Sequence, residues 1–452
     1  MSKMRSGKFL IPPMASLLLG SLFLALAGCG GSSTKVTVRP PPPPPPTASI
    51  TLTPTGFDFG TVTEGNLEEL PARRFLIRNA GTVSYDVSSI RLEGQNPTAF
   101  ALDVDAGDNP CGGAVRTLGP GGSCGVDVRF APTAFGAFAA VLAVQSNDPV
   151  SPSVNAALQG RYAEVEEVTV TVSQIDACPR ELPASVYVSV IDQGGFPIKN
   201  LGLPAFGLTE EGEAATLNAV NTVGNAASSL SLSIVMDYST SITRFPDAVA
   251  NIEEAASILV GKLGATDEAD IIKYANVVRF MLDDFTSDQD ELLAAIAEDP
   301  GLTQGTAFYD ATVAAIERTM ARTKDRKAVI ILTDGKDTAS GPGSGLANTI
   351  DVALGGDVPV YTVGIGNVDA LELGSLAAET GGIFYEPAAS DNLGAVYQQL
   401  ANLLFDDQYV LSYVSAVPAG QSATVEVSVD FIRGGKGFQG SGTKTLQACP
   451  VQ

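Results

Sequence analysis

Histidine and tryptophan are both missing from the 452 residues. Without histidine there is no Ser-His-Asp triad, no Cys-His dyad, no imidazole zinc ligand and no side chain that titrates unperturbed near neutral pH. The lack of tryptophan is compositional and carries no functional meaning. Basic residues are scarce, 27 Lys and Arg against 50 Asp and Glu, and the formal charge of −23 repels phosphate backbones and anionic lipid surfaces. Nucleic-acid binding is therefore disfavoured. Hydrophobic residues, by contrast, make up 45% of the chain. That is enough to fill the cores of about three domains of roughly 150 residues each.

Only one long apolar run occurs, Met14–Gly28, and it lies behind a positive start made by Lys3, Arg5 and Lys8. Fifteen residues fall short of the ~20 needed to span a bilayer, and the run ends in small residues at Leu26-Ala27-Gly28-Cys29. The tetrapeptide resembles a bacterial lipobox. The resemblance implies a signal peptide over 1–28, cleavage before Cys29, and acylation of that cysteine as a membrane anchor. Gly30 follows the cysteine where an aspartate would retain the protein elsewhere, which resembles an outer-membrane sorting signal. The next residues, 29–47, read as a stalk. The composition of Gly30 to Ser33 predicts a flexible segment, and seven consecutive prolines, Pro40–Pro46, are expected to form a polyproline II rod of about 22 Å.

Residues 48–162 carry strand and turn signals without a helical period. Val126, Val128 and Phe130 alternate with Asp127 and Arg129, and Phe75 and Ile77 lie between Arg74 and Arg78. Such alternation predicts sheets with one buried face, a β-sandwich. The phrases Phe57-Asp-Phe-Gly60, Ile77-Arg-Asn-Ala-Gly81, Leu118-Gly-Pro-Gly-Gly-Ser-Cys124, Val128-Arg-Phe-Ala-Pro-Thr133 and Ser146-Asn-Asp-Pro149 together resemble the immunoglobulin-like ASH (choice-of-anchor D) module. That family implies an interaction or spacer domain. Asp103, Asp105, Gly107 and Asp108 faintly suggest a calcium loop, but the glycine is in the wrong slot and no glutamate closes it, so they read as a solvated turn.

Five cysteines less the acylated Cys29 leave four, which allow three pairings. The favoured pairing is Cys111–Cys124 within the β module and Cys178–Cys449 farther out, the latter two sharing the context Ala-Cys-Pro. An exported chain with an even remainder is expected to oxidise.

From about residue 230 the pattern changes to strand-like apolar runs, Leu230–Met236, Ala328–Leu332, Val358–Ile365 and Ile383–Tyr385. They alternate with helical stretches at 246–262, 288–298, 306–322, 369–380 and 390–404. This predicts a doubly wound α/β domain over 230–407, with its site beyond the carboxyl ends of the strands. Three polar loops lie there. One is Asp237-Tyr-Ser239-Thr-Ser241, one is Thr333-Asp334-Gly335, and one is Gln304-Gly305-Thr306 opening a helix. Two carboxylates and three hydroxyls of hard oxygen suit Mg²⁺, and so few direct charges would leave the ion seeking a further carboxylate from outside. Asp310 and Asp337 read as surface acids.

This constellation resembles the von Willebrand factor A domain and its metal-ion-dependent adhesion site. The family pattern maps onto Asp237, Ser239, Ser241, Thr306 and Asp334, and implies Mg²⁺, with Mn²⁺ as the alternative, held by the hydroxyls directly and by the aspartates mainly through water. Gly305-Thr-Ala-Phe-Tyr-Asp-Ala311, Ala378-Glu-Thr-Gly-Gly382 and Tyr409-Val-Leu-Ser-Tyr413 are further family-like phrases. Gln304 departs from the family, where glycine is common, but removes no ligand.

The segments 164–229 and 408–452 flank this domain with alternating strands. Val186, Val188 and Val190 lie at one end and Val425, Val427, Val429 and Phe431 at the other, and the two flanks are expected to pair, with the α/β domain inserted between them. The whole reads as a multidomain, lipid-anchored protein of the bacterial outer membrane, at the cell surface or facing the periplasm. It would bind a protein partner that offers an acidic side chain to the ion. A periplasm-facing scaffold with the same domain is the alternative. An enzyme is not expected: Glu210–Glu211, the best carboxylate pair, are chain neighbours with nothing to place them across a cleft, and the glycine-rich tail Gly434–Gly442 lacks a phosphate-loop lysine. Because chain and partner are both acidic, added salt should strengthen binding unless local basic residues steer the partner.

Overall fold

A computed structural model describes residues 49–178, 182–226, 228–245, 247–366, 368–386, 392–447 and 449. The signal peptide, Cys29 and the proline stalk lie outside the described residues.

The first β region spans 50–163. Antiparallel strands 50–53, 73–79, 123–130 and 100–103 make one sheet. A second sheet runs 56–63, 153–163, 136–146, 85–93 and 116–118, with only the first pair parallel. Alternate residues of both sheets, including Phe57, Phe59, Phe75, Ile77, Val126, Val128, Phe130, Leu142, Val144 and Leu158, meet in one apolar cluster. The Cys111–Cys124 bond is buried in that cluster. The 103–108 loop is closed by Arg74, whose Nη1 donates to Ala106 O and Asp127 Oδ1 at 2.8 Å each, and whose Nη2 donates to Asp108 O.

The second β region is built from both sides of the α/β segment. Strands 168–176, 184–192, 409–413 and 217–222 form one sheet, with Val186 opposite Leu411. Strands 213–214, 206–210, 423–433 and 436–446 form another, with Leu208 opposite Val427. The chain leaves this region after Thr222, passes through residues 230–407, and returns at Tyr409. Cys178 and Cys449 are bonded across the two ends. Gly434 and Gly435, at φ 58° and 82°, make the two-residue turn between the last two strands, which is why the tail is glycine-rich there.

Between these ends lies a six-stranded sheet in the order 278–280, 268–274, 230–237, 326–333, 360–364 and 384–385, parallel except at its first pair. Helices 248–260, 289–297 and 393–402 cover one face through Ile252, Leu259, Leu292, Leu393 and Leu400. Helices 308–320, 346–356 and 370–380 cover the other through Ala311, Ile316, Ile350 and Leu376. Buried on both faces, the central strands are rich in apolar residues, near-continuous over Ala328–Leu332, with the small Ser231 and Ser233 in 230–237 and the charged Glu268, Asp270 and Lys273 in 268–274. From strand 230–237 the chain steps first to 268–274 on one side and later to 326–333 on the other, so the order reverses between the strands ending at Asp237 and Thr333. Open α/β sheets carry their crevice at such a reversal.

Strand 268–274 and helix 346–356 add to the expected elements. Asp310 and Asp337 are not simple surface acids. Both are partly buried, and they organise the 335–345 loop. Asp310 accepts from Gly341 N at 2.9 Å and from Ser344 Oγ at 2.5 Å, while Asp337 accepts from Tyr309 N at 3.2 Å and from Ser340 Oγ at 2.5 Å. The sequence offers them as isolated acids because, Ser340 apart, the donors lie about thirty residues away on other turns.

Candidate metal centre

Asp237 ends the central strand and is fully buried. Its Oδ1 accepts from Ser239 N at 2.8 Å, which turns the chain sharply out of the strand. Its Oδ2 accepts from Thr333 Oγ1 at 3.0 Å and faces Tyr274 OH at 3.4 Å. A 3₁₀ turn, Thr240–Arg244, follows at once. Ser239 Oγ and Ser241 Oγ lie 2.7 Å apart, and Asp334 Oδ1 accepts from Ser241 Oγ at 2.7 Å and from Ser239 Oγ at 3.4 Å. Residues almost a hundred apart in sequence thus meet because adjacent parallel strands end side by side.

The third loop is pinned to the first two. Thr240 N donates to Thr303 O at 2.9 Å. Thr306 N donates to Thr338 Oγ1 at 2.9 Å, and Thr338 N returns a bond to Thr306 O at 2.9 Å. Gly305 has φ 96°, and a Cβ there would lie 3.2 Å from both Ala339 Cβ and Asn276 Cβ, so glycine alone fits before Thr306. Ser239, Ser241, Thr306 and Asp334 line a cleft of about 410 Å³ open to solvent, and Asp237 stands directly behind it. The structure brings all five expected oxygen-bearing residues to this one place.

The electrostatics favour a cation. Burial pushes the Asp237 carboxyl up to about 6, with the negative Asp334 adding to the rise and the Ser239 and Thr333 bonds opposing it. Burial also raises Asp334, against the Ser241 and Ser239 bonds and the Arg244 charge. A cation between the two acids would lower both. Asp334 Oδ2 is buried without a hydrogen-bond partner among the described residues, a costly arrangement unless another positive group takes the lone pairs. No cluster of three or more His, Cys, Asp or Glu side chains exists among the described residues. The donor set is therefore hydroxyl-rich and hard, which suits Mg²⁺ or Mn²⁺.

Residues 232–399 match the von Willebrand factor type A domain. No curated protein matches the chain. Among solved structures, a von Willebrand factor type A protein from Catenulispora acidiphila is 14% identical over 63% of this chain and 74% of its own, with a TM-score of 0.37. Proximal thread matrix protein 1 from the mussel byssus, with its MIDAS motif occupied by zinc, is 19% identical over 44% of this chain and 50% of its own, with a TM-score of 0.38. The chain thus spans about half the length of the byssus protein. The vWF domain of the type V pili tip protein Mfa5 from Porphyromonas gingivalis is 14% identical over 39% of this chain and 95% of its own, with a TM-score of 0.32.

Four residues around the A domain's cleft escape sequence reasoning. Tyr274, fully buried, donates to Leu332 O at 2.9 Å and backs Asp237, while Thr333 fixes the Asp237 carboxylate from the adjoining strand. Arg244 and Lys336 line the cleft mouth, and both are exposed. Their spacing, three residues after Ser241 and two after Asp334, was the available signal. The Glu210–Glu211 pair lies elsewhere. Glu210 is buried, accepting from Tyr413 OH at 2.9 Å, Ser415 Oγ at 2.6 Å and Ala416 N at 2.8 Å, while Glu211 occupies a tight turn at φ 53°. No helix among the described residues is long and apolar enough to cross a membrane.

Proposed function

We propose that this chain is a lipid-anchored protein of the bacterial outer membrane that binds a protein partner through a divalent cation and performs no catalysis. Asp237, Ser239, Ser241, Thr306 and Asp334 would hold the ion, Mg²⁺ or Mn²⁺. When bound, the cation supplies an open coordination position for an acidic side chain of the partner. The observation that carries this reading is the unpartnered, buried Asp334 Oδ2 beside two hydroxyls 2.7 Å apart at the floor of an open cleft.

The remaining residues fit the same role. Asp237, Thr333 and Tyr274 hold the first loop rigid, and the Thr306–Thr338 pair holds the third, so the site is pre-organised and loses little entropy on binding. The β module over 48–162 would serve as a spacer or interaction domain for the A domain. It also braces that domain directly, Glu69 Oε2 accepting from Asn402 Nδ2 at 2.8 Å, and meets the second β region through Glu69 Oε1 and Lys199 Nζ at 2.9 Å.

The test is capture of envelope proteins on immobilised full chain. In Mg²⁺ a partner should be retained, released by EDTA, recaptured when Mg²⁺ is restored, and absent with Ser241→Ala. A partner held equally with and without EDTA would contradict the proposal.

A further inference from the structure

The mouth of the metal centre has the opposite charge to the rest of the molecule. The chain carries 50 acidic and 27 basic residues, yet of the ten residues lining this cleft Arg244 and Lys336 are basic and only Asp334 is acidic. Arg244 closes the 3₁₀ turn Thr240–Arg244. In a 3₁₀ helix, residues i and i+3 eclipse and one turn rises about 6 Å, so Arg244 stacks above Ser241 along the cleft. It makes no ion pair with any described residue, and its field reaches Asp334. Lys336 comes from the opposite loop, two residues past Asp334. It is 64% exposed and pairs with the partly exposed Asp369 at 2.9 Å. An exposed pair of that kind is weak and can be exchanged for another carboxylate.

We infer that Arg244 and Lys336 form a second anion subsite beside the ion, and that the partner presents two acidic side chains, at positions i and i+2 of an extended segment. This rests on the metal-dependent reading above and names the partner's chemistry more closely. In an extended strand, residues two apart project from the same face about 6.6 Å apart, close to the one-turn rise separating Ser241 from Arg244. One carboxylate completes the ion's shell and the other meets the guanidinium fork, which accepts a carboxylate through two parallel bonds. The same two cations draw an acidic partner to one place on a surface that otherwise repels it. Binding should then weaken with added salt, opposite in sign to what the net charge alone implies.

The test uses purified full chain in mild detergent and Gly/Ser peptides on a sensor surface. The peptides carry one glutamate, two glutamates at i and i+2, or two separated by five residues. In Mg²⁺ the i, i+2 peptide should bind about fivefold more tightly than the other two. The double variant R244Q/K336Q should lose that preference and bind all three peptides more weakly, with the remaining single-glutamate response still abolished by EDTA, and R244K should keep part of the preference. Equal binding of the two spacings, or a preference that survives in R244Q/K336Q, overturns the second subsite. A single-glutamate response indifferent to EDTA instead overturns the metal-dependent reading beneath it.

Discussion

Asp237→Ala should lower the affinity of the full chain for Mg²⁺ or Mn²⁺ by about 100-fold or more in a calorimetric titration. Asp237 supplies one of the two carboxylate charges at the site and shapes the loop that carries Ser239 and Ser241, since Ser239 N hangs on its Oδ1 at 2.8 Å. Alanine removes both contributions at once. Asp237→Asn separates them. The amide keeps an acceptor oxygen for Ser239 N while the charge is gone, so affinity should still fall steeply. Stability should respond differently from binding. Tyr274 OH keeps its bond to Leu332 O and Thr333 Oγ1 its bond to Gly335 O, so neither donor is orphaned in the variant. Removing one of two buried acids also relieves their mutual repulsion. EDTA-treated Asp237→Asn should therefore unfold at or above the temperature of the EDTA-treated unaltered chain. An unchanged metal affinity in either variant would remove Asp237 from the site.

Gly382→Ala should be the most damaging single-methyl change in the A domain, costing about 3–5 kcal/mol in urea unfolding or preventing folding. A Cβ at Gly382 would lie 2.0 Å from Val360 O and 2.5 Å from Val360 C, backbone atoms of the neighbouring strand that no rotamer change can move aside. Gly381 before it ends helix 370–380 at φ 90°, and its own Cβ would lie 2.8 Å from Val172 O and Ser173 O. The pair lets the chain leave the helix and join the edge of the sheet within a few residues. Gly355→Ala is the control. Its Cβ meets nothing within 4 Å, and it lies in helix 346–356, so alanine there should be neutral or stabilising by up to about 1 kcal/mol. A loss below about 1 kcal/mol at Gly382 would show that the strand and the helix end are not packed this closely.

The A domain's central strands are legible because Leu230–Met236 and Ala328–Leu332 are buried on both faces and carry no charged residue, the only polar side chains being the small hydroxyls of Ser231 and Ser233. Strand 268–274 is not, because Glu268, Asp270 and Lys273 break its pattern. Each break has a long-range partner: Asp270 meets Arg318 at 2.7 Å, Glu268 meets Arg322 at 2.8 Å, and Lys273 Nζ donates to Ile296 O and Glu298 O while lying 4.6 Å from the Tyr238 ring centroid. Charges inside a sheet protein read as loop until their partners are known. Helix 346–356 is hidden for another reason. Gly345 precedes it, Gly355 and Gly356 end it, and only Thr349, Ile350 and Ala353 are buried, so its apolar face is too narrow to show a period.

The metal centre divides in the same way. Asp237, Ser239 and Ser241 are local in sequence, and Thr306 and Asp334 each stand at a recognisable element end. The residues that orient or surround them do not advertise themselves. Tyr274 is an ordinary aromatic at a strand end until the sheet order sets it behind Asp237. Arg244 is an ordinary surface base until the 3₁₀ turn aligns it with Ser241. Direct donors at strand ends follow from local pattern and topology, whereas their supports depend on which strands become neighbours.

The function proposed for this chain requires one divalent cation held where the three loops meet. Crystals of the full chain soaked in Mn²⁺ and measured at its absorption edge test it directly. One anomalous peak is expected within coordination distance of Ser239 Oγ and Ser241 Oγ, lost in Asp237→Ala. No peak there, or an unaltered peak in the variant, would contradict it.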